Sequence, residues 1–353
     1  MALHPSHQQS MRRALGLIAL PVLVLVFTWL VKPAGGLAGH AGYLPLHTLL
    51  ETTSIVIAVL IFAVGFHSHD RELPGNVTLL ASVFLGVALL DFSHALSFQG
   101  MPDYVTPSGS EKAISFWLAA RTLAAVALLA VAWLPWRPLR GWRARILPLT
   151  AVLALTAVLH WVFLFHADLL PRTFEAGRGL TPFKIRWEYA ITALNLAAAV
   201  VLWRRMRGPL DFNAPALFGA ICMMGLSEFA FTLFTQVSDV FNLLDHIFKT
   251  VSYLFLYRAI FLEAIERPYR QLSAARGQLK TTLETIPDML WVKDLNGLYL
   301  SCNLPFARLY GTTEDRIVGR RDIDFISPER AAHYRQQDQT ALAAGKSVTR
   351  EEW

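Results

Sequence analysis

Apolar residues fall in long blocks along this chain, not in the short alternations of a soluble fold. Eight runs of roughly twenty mainly apolar residues stand near 14–31, 46–67, 78–97, 113–134, 146–168, 185–203, 214–236 and 240–262. A run of about 20 such residues crosses the ~30 Å hydrocarbon core of a bilayer as a helix. A helix satisfies every backbone donor and acceptor inside its own segment, so each run predicts a membrane-spanning helix. Stretches rich in Gly and Pro separate the runs, as at Lys32-Pro-Ala-Gly-Gly36 and Pro135-Trp-Arg-Pro138. The expected fold is an all-α polytopic membrane bundle of about eight helices over residues 14–262, after a short segment 1–13. The first run follows Arg12 and Arg13 as a signal peptide would. It is longer than a signal h-region of about 7–15 residues, which favours a retained anchor.

Composition strengthens this reading. Of 353 residues, 54% are hydrophobic and 16% charged, and the mean hydropathy is +0.41. Soluble domains carry about 25% charged residues. The deficit excludes a cytosolic enzyme or a disordered tail, and two cysteines, Cys222 and Cys302, cannot staple a secreted domain. The net charge of +6 sits in clusters between the runs. Arg12 and Arg13, then Arg137, Arg140, Arg143 and Arg145, then Arg204, Arg205 and Arg207, then Arg267 and Arg270 fall on one side of an eight-span bundle. The opposite loops hold fewer: Lys32, Lys112, Arg172, Arg178 and Lys184. The basic side faces the cytoplasm, which places both termini inside. No basic face with interleaved aromatics suggests nucleic acid, and the bilayer itself is the first expected partner.

The polar residues inside the runs carry the chemistry. Ionisable groups are costly in lipid and face a bundle interior or cavity. Here they are His47, Glu51, Asp91, His94, Arg121, His160, Glu188, Glu228, Asp245, His246 and Lys249. Most lie about four to nine positions from the outer end of their run, which is roughly 6–14 Å of helix rise. His47 and Glu51 are four apart and Asp91 and His94 three apart, so each pair shares a helical face. This layer predicts a pocket in the outer half for an ion or small ligand. The competing reading is a hydrogen-bonded network that only holds the helices together, and His160 and Glu188 singly fit that role. His47, Glu51, Asp91, His94 and His246 form a candidate metal set, whose imidazole and carboxylate chemistry suits zinc, iron or manganese. Haem on His94, His160 or His246 is a further candidate, which would make the chain a membrane oxidoreductase. His40, His67, His69 and His166 stand at run ends or in loops and read as interfacial.

The segments His47-Thr-Leu-Leu-Glu51 and Asp91-Phe-Ser-His94-Ala-Leu-Ser97-Phe-Gln-Gly100-Met101-Pro102 resemble the bacterial membrane-associated sensor domain of the third MASE type, over about residues 10–265. The resemblance implies an input module of the bacterial inner membrane, placed before PAS modules, histidine kinases or diguanylate cyclases. It carries over no ligand.

Beyond the last run the pattern changes. Residues 263–285 are polar and helix-compatible, with Ile265, Leu272, Leu279 and Ile286 recurring every seven and Leu283 beside them. Such a seam predicts a two-stranded coiled coil, hence a homodimer. Tyr269 and Arg276 occupy the alternate positions, so an amphipathic helix packed on its own domain stays open. Strands are then predicted at Met289–Lys293 and Leu298–Cys302 around the turn Asp294-Leu-Asn-Gly297. Asn303 caps a short helix ended by Gly311, a helical turn follows at Thr313–Gly319, a helix runs from Pro328 to Ala344, and a third strand opens at Val348. The segments Ile286–Gly297 and Asn303–Gly311 resemble the first part of a PAS domain, which makes residues 286–353 an incomplete α+β segment and the chain a piece of a longer protein. Its cofactor is unreadable, since His333 and Cys302 have no supporting context. No phosphate loop, HExxH, GxSxG, kinase or GGDEF-like segment appears, so catalysis is not expected on this chain. A transporter would be expected to show internal repeats, and none is visible.

Overall fold

The computed structural model describes residues 3–31, 43–67, 74–137, 141–175, 179–210, 212–233 and 240–349. Among them eight long helices stand where the apolar runs lie. They are α1 (Pro5–Val31), α2 (Tyr43–His67), α3 (Gly75–Ser97), α4 (Ser110–Trp133), α5 (Trp142–Phe165), α6 (Pro182–Arg205), α7 (Ala214–Leu233) and α8 (Val240–Phe261). Seven are long and apolar enough to cross a membrane on length and composition alone; α8 carries Asp245, Lys249 and Arg258. The chain divides into two units, residues 1–268 and 269–353.

In the first unit α2, α3, α4, α6, α7 and α8 pack in that order and close a ring, because α8 returns to α2. α5 leans on the outside of α3, and α1 on the outside of α7. The burial of each helix follows this placement. The apolar stretches of α3, α4 and α7 are mostly buried, while α1 and α5 turn most of theirs outward, as lipid-facing helices do. Along α2 the buried positions His47, Glu51, Ser54, Ala58, Ile61 and Gly65 repeat every three or four residues, so one stripe faces the ring interior. That stripe is polar near the start of α2 and apolar or small near its end. α8 repeats the pattern from Asn242, Asp245, His246 and Lys249 to Leu256 and Ile260.

The apolar half is packed by shape. A Cβ on Gly219 would meet the Phe255 ring at 2.8 Å, and one on Gly86 would meet Val152 at 2.6 Å. Small residues of this kind let membrane helices approach closely where lipid offers no hydrophobic drive for association. At the same end, basic side chains cap exposed carbonyls. Arg145 donates to Phe66 O at 2.6 Å, and Arg205 to Ala132 O at 2.6 Å and Leu134 O at 3.0 Å. Cations there also complement the helix dipoles.

Some expectations needed correction. α1 starts at Pro5, ahead of the run expected from residue 14. The loop at 169–184 holds a two-stranded hairpin, β1 (Phe174–Glu175) with β2 (Gly179–Leu180), then Thr181, whose hydroxyl accepts from Lys184 N to cap α6. Lys184, expected in that loop, is a buried residue of α6.

Helical residues continue past α8 through a π-turn at Leu262–Glu266 into α9 (Arg267–Thr285). Pro268 explains the turn: its ring clashes with the carbonyl four residues back in a regular helix, and the wider turn makes room. Leu272, Leu279 and Leu283 on α9 are exposed.

In the second unit β3 (Trp291–Lys293) pairs antiparallel with β4 (Tyr299–Cys302), followed by α10 (Leu304–Leu309), α11 (Glu314–Ile317) and α12 (Pro328–Ala344). Asn303 pins this region. Its Oδ1 accepts from Leu290 N at 2.9 Å and Phe306 N at 3.2 Å, and its Nδ2 donates to Asp288 O at 2.7 Å and Leu283 O at 3.2 Å. Gly345 ends α12 at φ +60°, a conformation glycine adopts without strain. The strand expected to open at Val348 is not formed over residues 347–349, and its remainder lies outside the described residues, as do Lys32, His40, His69, Arg140 and Arg178.

Candidate functional site: a charged core inside the helix ring

The ends of α2, α3, α4, α6, α7 and α8 that carry the polar stripes lie together, and their ionisable side chains meet inside the ring. Five carboxylates (Glu51, Asp91, Glu188, Glu228, Asp245) and three cations (Arg121, Lys184, Lys249) are each 0% exposed. The imidazoles of His47, His94 and His246 are 2–4% exposed. These groups sort into three clusters.

The first cluster joins α2, α3 and α8. His47, Glu51, His94 and His246 each offer a ligand atom, and these atoms lie within 4.8 Å of one another. Glu51 Oε1 accepts from the Lys249 ammonium and stands 3.1 Å from His246 Nε2. His94 Nδ1 is 2.8 Å from Ala113 O, and His246 Nδ1 is 2.7 Å from Asn242 O. A carbonyl only accepts, so both Nδ1 atoms carry hydrogen and both Nε2 atoms are turned toward the cluster. The His47 ring stacks on Phe98 with centroids 3.9 Å apart, and lies 4.8 Å from His246 and 5.5 Å from His94.

The second cluster joins α3, α4 and α8. Arg121 Nη2 donates to Asp91 Oδ1 at 2.7 Å, to Asp91 Oδ2 at 2.8 Å and to the Tyr253 hydroxyl at 2.5 Å. Tyr253 in turn donates to Asp91 Oδ2 at 3.0 Å. Charge-assisted bonds of this kind are the strong ones.

The third cluster lies on α6, α7 and α8. Lys184 pairs with Glu188 one turn on at 2.6 Å, with its ammonium 3.7 Å from the Phe231 ring centroid. Ser227 donates to the Asp245 carboxylate. Among the described residues neither Glu228 oxygen has a hydrogen-bond partner.

Trp117 on α4 links the clusters. Its indole stacks on His246 at 5.1 Å and lies 5.3 Å from His94. Its face takes the Lys249 ammonium at 4.6 Å and the Arg121 guanidinium at 4.9 Å. Each is a cation–π contact in a desolvated site, where such contacts are strongest.

The residues expected to form one layer are therefore not equivalent. His47, Glu51, His94 and His246 come together. Asp91, expected among the metal ligands, is instead turned to Arg121 and Tyr253. His160 stands apart on α5, with Nε2 2.8 Å from Ser93 Oγ and Nδ1 2.7 Å from Thr156 O, which ties α5 to α3. Glu188 belongs with Lys184. Lys184, Trp117 and Tyr253 were missed as core residues. The spacing signal existed: Trp117 precedes Arg121 by four, Tyr253 follows Lys249 by four, and Lys184 precedes Glu188 by four.

The second unit has its own concavity, a cavity of about 480 Å³ lined by Trp291, Lys293, Tyr299, Phe306, Tyr310 and Asp322 among others. Asp322 accepts from the Tyr299 hydroxyl at 2.5 Å and from Lys293 at 2.8 Å. Burial and the Asp322 carboxylate push the Tyr299 phenol well above its ordinary pKa, so it stays protonated and donates. Burial, with Glu314 nearby, raises the Cys302 thiol, which argues against a reactive thiolate. His333 is exposed on α12 beside Gln337.

A closed ring of membrane helices around a charged core, in a chain that goes on to a small α+β unit, defines a multi-pass membrane protein with an appended sensory-type domain. The chain belongs to the membrane-associated sensor domain family MASE3, whose model matches residues 38–268. Residues 283–352 match the PAS fold. No curated protein and no solved structure matches the chain. The two family matches together make this a membrane sensory module of signalling proteins, built from two non-catalytic domains.

Proposed function

We propose that the module senses its stimulus at the charged core and relays it through α9 and the PAS segment to an output domain, a histidine kinase or a diguanylate cyclase. It does so in a bacterial inner membrane, with both termini cytoplasmic and with two copies paired along the Leu272/Leu279 seam. The observation that carries this reading is the position of α8. That helix supplies Asp245, His246, Lys249 and Tyr253 to the core, and its chain runs on as helix into α9. A ligand that binds one arrangement of the core groups better than another shifts α8, which bears more of them than any other helix.

The experiment uses the intact signalling protein. Asp91→Asn and His94→Ala, each checked for normal membrane insertion, are expected to change output or its response to the stimulus. A normal response in both variants would exclude the charged core as the sensing site.

A further inference from the structure

We propose that His47, Glu51, His94 and His246 form a binding site for one divalent first-row transition metal ion, with Lys249 as a built-in competitor for the carboxylate. Four observations carry this. The ligand atoms come from three helices and converge within 4.8 Å in a fully buried space. Tetrahedral ligands at ~2.0–2.1 Å from zinc stand about 3.3 Å from one another, so the widest pair needs to close by ~1.5 Å. Among the described residues both His47 nitrogens, His94 Nε2 and Glu51 Oε2 have no hydrogen-bond partner, and His246 Nε2 has only Glu51 Oε1 at 3.1 Å. Buried polar atoms are nearly always satisfied, and a set of them aimed at one point calls for a ligand. The backbone carbonyls of Ala113 and Asn242 hold the His94 and His246 rings by Nδ1, the outer-shell arrangement that metal-bound histidines show; His94 Nε2 is left with a lone pair, and His246 Nε2, which faces Glu51 Oε1 at 3.1 Å, releases its hydrogen to solvent when a metal binds.

Charge supplies the fourth observation. Among the described residues five fully buried carboxyl groups face three buried lysine and arginine side chains. A bound cation, or protons on these carboxylates and imidazoles, makes up the difference, so the charge favours a cation at Glu51 and leaves its valence to the donor set. The donor set decides the class. Three imidazoles and one carboxylate suit zinc and its neighbours, whereas calcium and magnesium take oxygen ligands and copper(I) takes thiolate or thioether.

Lys249 gives the site a second state. Its ammonium sits on Glu51 Oε1 and against Trp117. An arriving metal ion takes Glu51 and repels the ammonium. The exchange replaces a Glu51–Lys249 tie between α2 and α8 with a metal tie from Glu51 to His246 on the same two helices. The metal site stands on its own geometry; only its consequence for output rests on the proposed sensor function.

The test uses the intact chain, purified in detergent through a histidine-free tag, stripped with a chelator and titrated with Zn²⁺ or Co²⁺. Expected are one equivalent bound per chain and a visible Co²⁺ ligand-field spectrum. Affinity should fall at least tenfold in His94→Ala and in His246→Ala, stay unchanged in His160→Ala, and rise about tenfold in Lys249→Met. The folded, unaltered chain provides the decisive arm: if it takes up no stoichiometric Zn²⁺ or Co²⁺, the site does not exist. Equal loss in His160→Ala would overturn the ligand assignment, and unchanged or weaker binding in Lys249→Met would overturn the competition. Metal uptake with output indifferent to Zn²⁺ would sink the sensor reading and leave the site standing. Output that depends on Asp91 without any metal uptake would do the reverse.

Discussion

Replacing Arg121 by Met tests the ion pair at the centre of the ring. The substitution keeps most of the side chain's volume and removes its charge. It deletes the bonds of Nη2, whose two hydrogens are shared among both Asp91 oxygens and the Tyr253 hydroxyl, and strands a carboxylate that is 0% exposed. Two routes give the cost. Side-chain hydrogen bonds within membrane bundles average ~0.6 kcal/mol with a maximum near ~1.7, so the two hydrogens of Nη2 contribute about 1–3 kcal/mol. Removing one partner of a buried ion pair costs about 3–5 kcal/mol, because the other charge is left uncompensated. The second route also counts the stranded charge, so the expected loss is ~3–5 kcal/mol. Asp91→Leu combined with Arg121→Met removes both charges and should recover most of that loss. Tyr253→Phe leaves the pair intact and should cost only about 1 kcal/mol. The assay is reversible unfolding in mixed micelles for the wild type, both single variants and the double variant, read as a thermodynamic cycle. An Arg121→Met cost below ~1 kcal/mol, or single costs that simply add in the double variant, would refute the pairing.

Three further outcomes are expected. Gly219→Ala should lose about 1–3 kcal/mol in the same assay, because its Cβ would meet Phe255 at 2.8 Å, whereas Gly225→Ala, whose Cβ would meet Asn195 at 3.5 Å, should be tolerated. Leu272→Asn with Leu279→Asn should convert a dimer of the intact chain to monomer in native mass spectrometry, since both leucines are exposed on α9; an unchanged oligomer would remove the seam from the dimer. Asp294 accepts from Asn296 N at 2.9 Å and Leu298 N at 2.8 Å, and the Leu298 amide chiefly holds its carboxyl below the ordinary value. Its contribution to the β3–β4 turn is therefore present above the unfolded carboxyl value of about 4 and lost as pH falls through the lower folded value. Hydrogen exchange at the turn amides should quicken on acidification beyond the intrinsic pH effect in the wild type, and Asp294→Asn should abolish that extra quickening.

The eight helices were legible because a span has a length and composition no other element shares. The polar residues were legible because lipid makes them expensive: His47, Glu51, His94 and His246 stood out one by one. Their grouping was not legible. Which helices neighbour each other depends on small-residue contacts such as Gly219 with Phe255, and these leave no periodic trace. His160 looked like its fellow histidines, yet α5 sits outside the ring. Lys184 was hidden by its place two residues into α6, where a cation reads as a loop residue. Trp117 was hidden because an indole inside an apolar run costs little in lipid and so does not stand out as a charge does. In the PAS-matched unit the turn, the Asn303 cap and the Gly345 stop carried strong local signals, and the elements they bound followed.

The two halves of α8 rest on different physics. In its first half, Asp245, His246 and Lys249 hold their neighbours through charge and hydrogen bonds; beyond Tyr253, Phe255 fits against Gly219, and Ile260 would lie 3.3 Å from a Cβ on Gly65. A network serving only as adhesive would balance its charges, since a buried uncompensated carboxylate weakens the bundle it should hold. Among the described residues this core buries five carboxyl groups against three lysine and arginine side chains and leaves both Glu228 oxygens, both His47 nitrogens and His94 Nε2 unpartnered. Close apolar packing has few alternative arrangements, whereas a charge network rearranges whenever a cation arrives or leaves. A change in charge at the core therefore acts on the first half of α8, while shape holds the second half against α2 and α7.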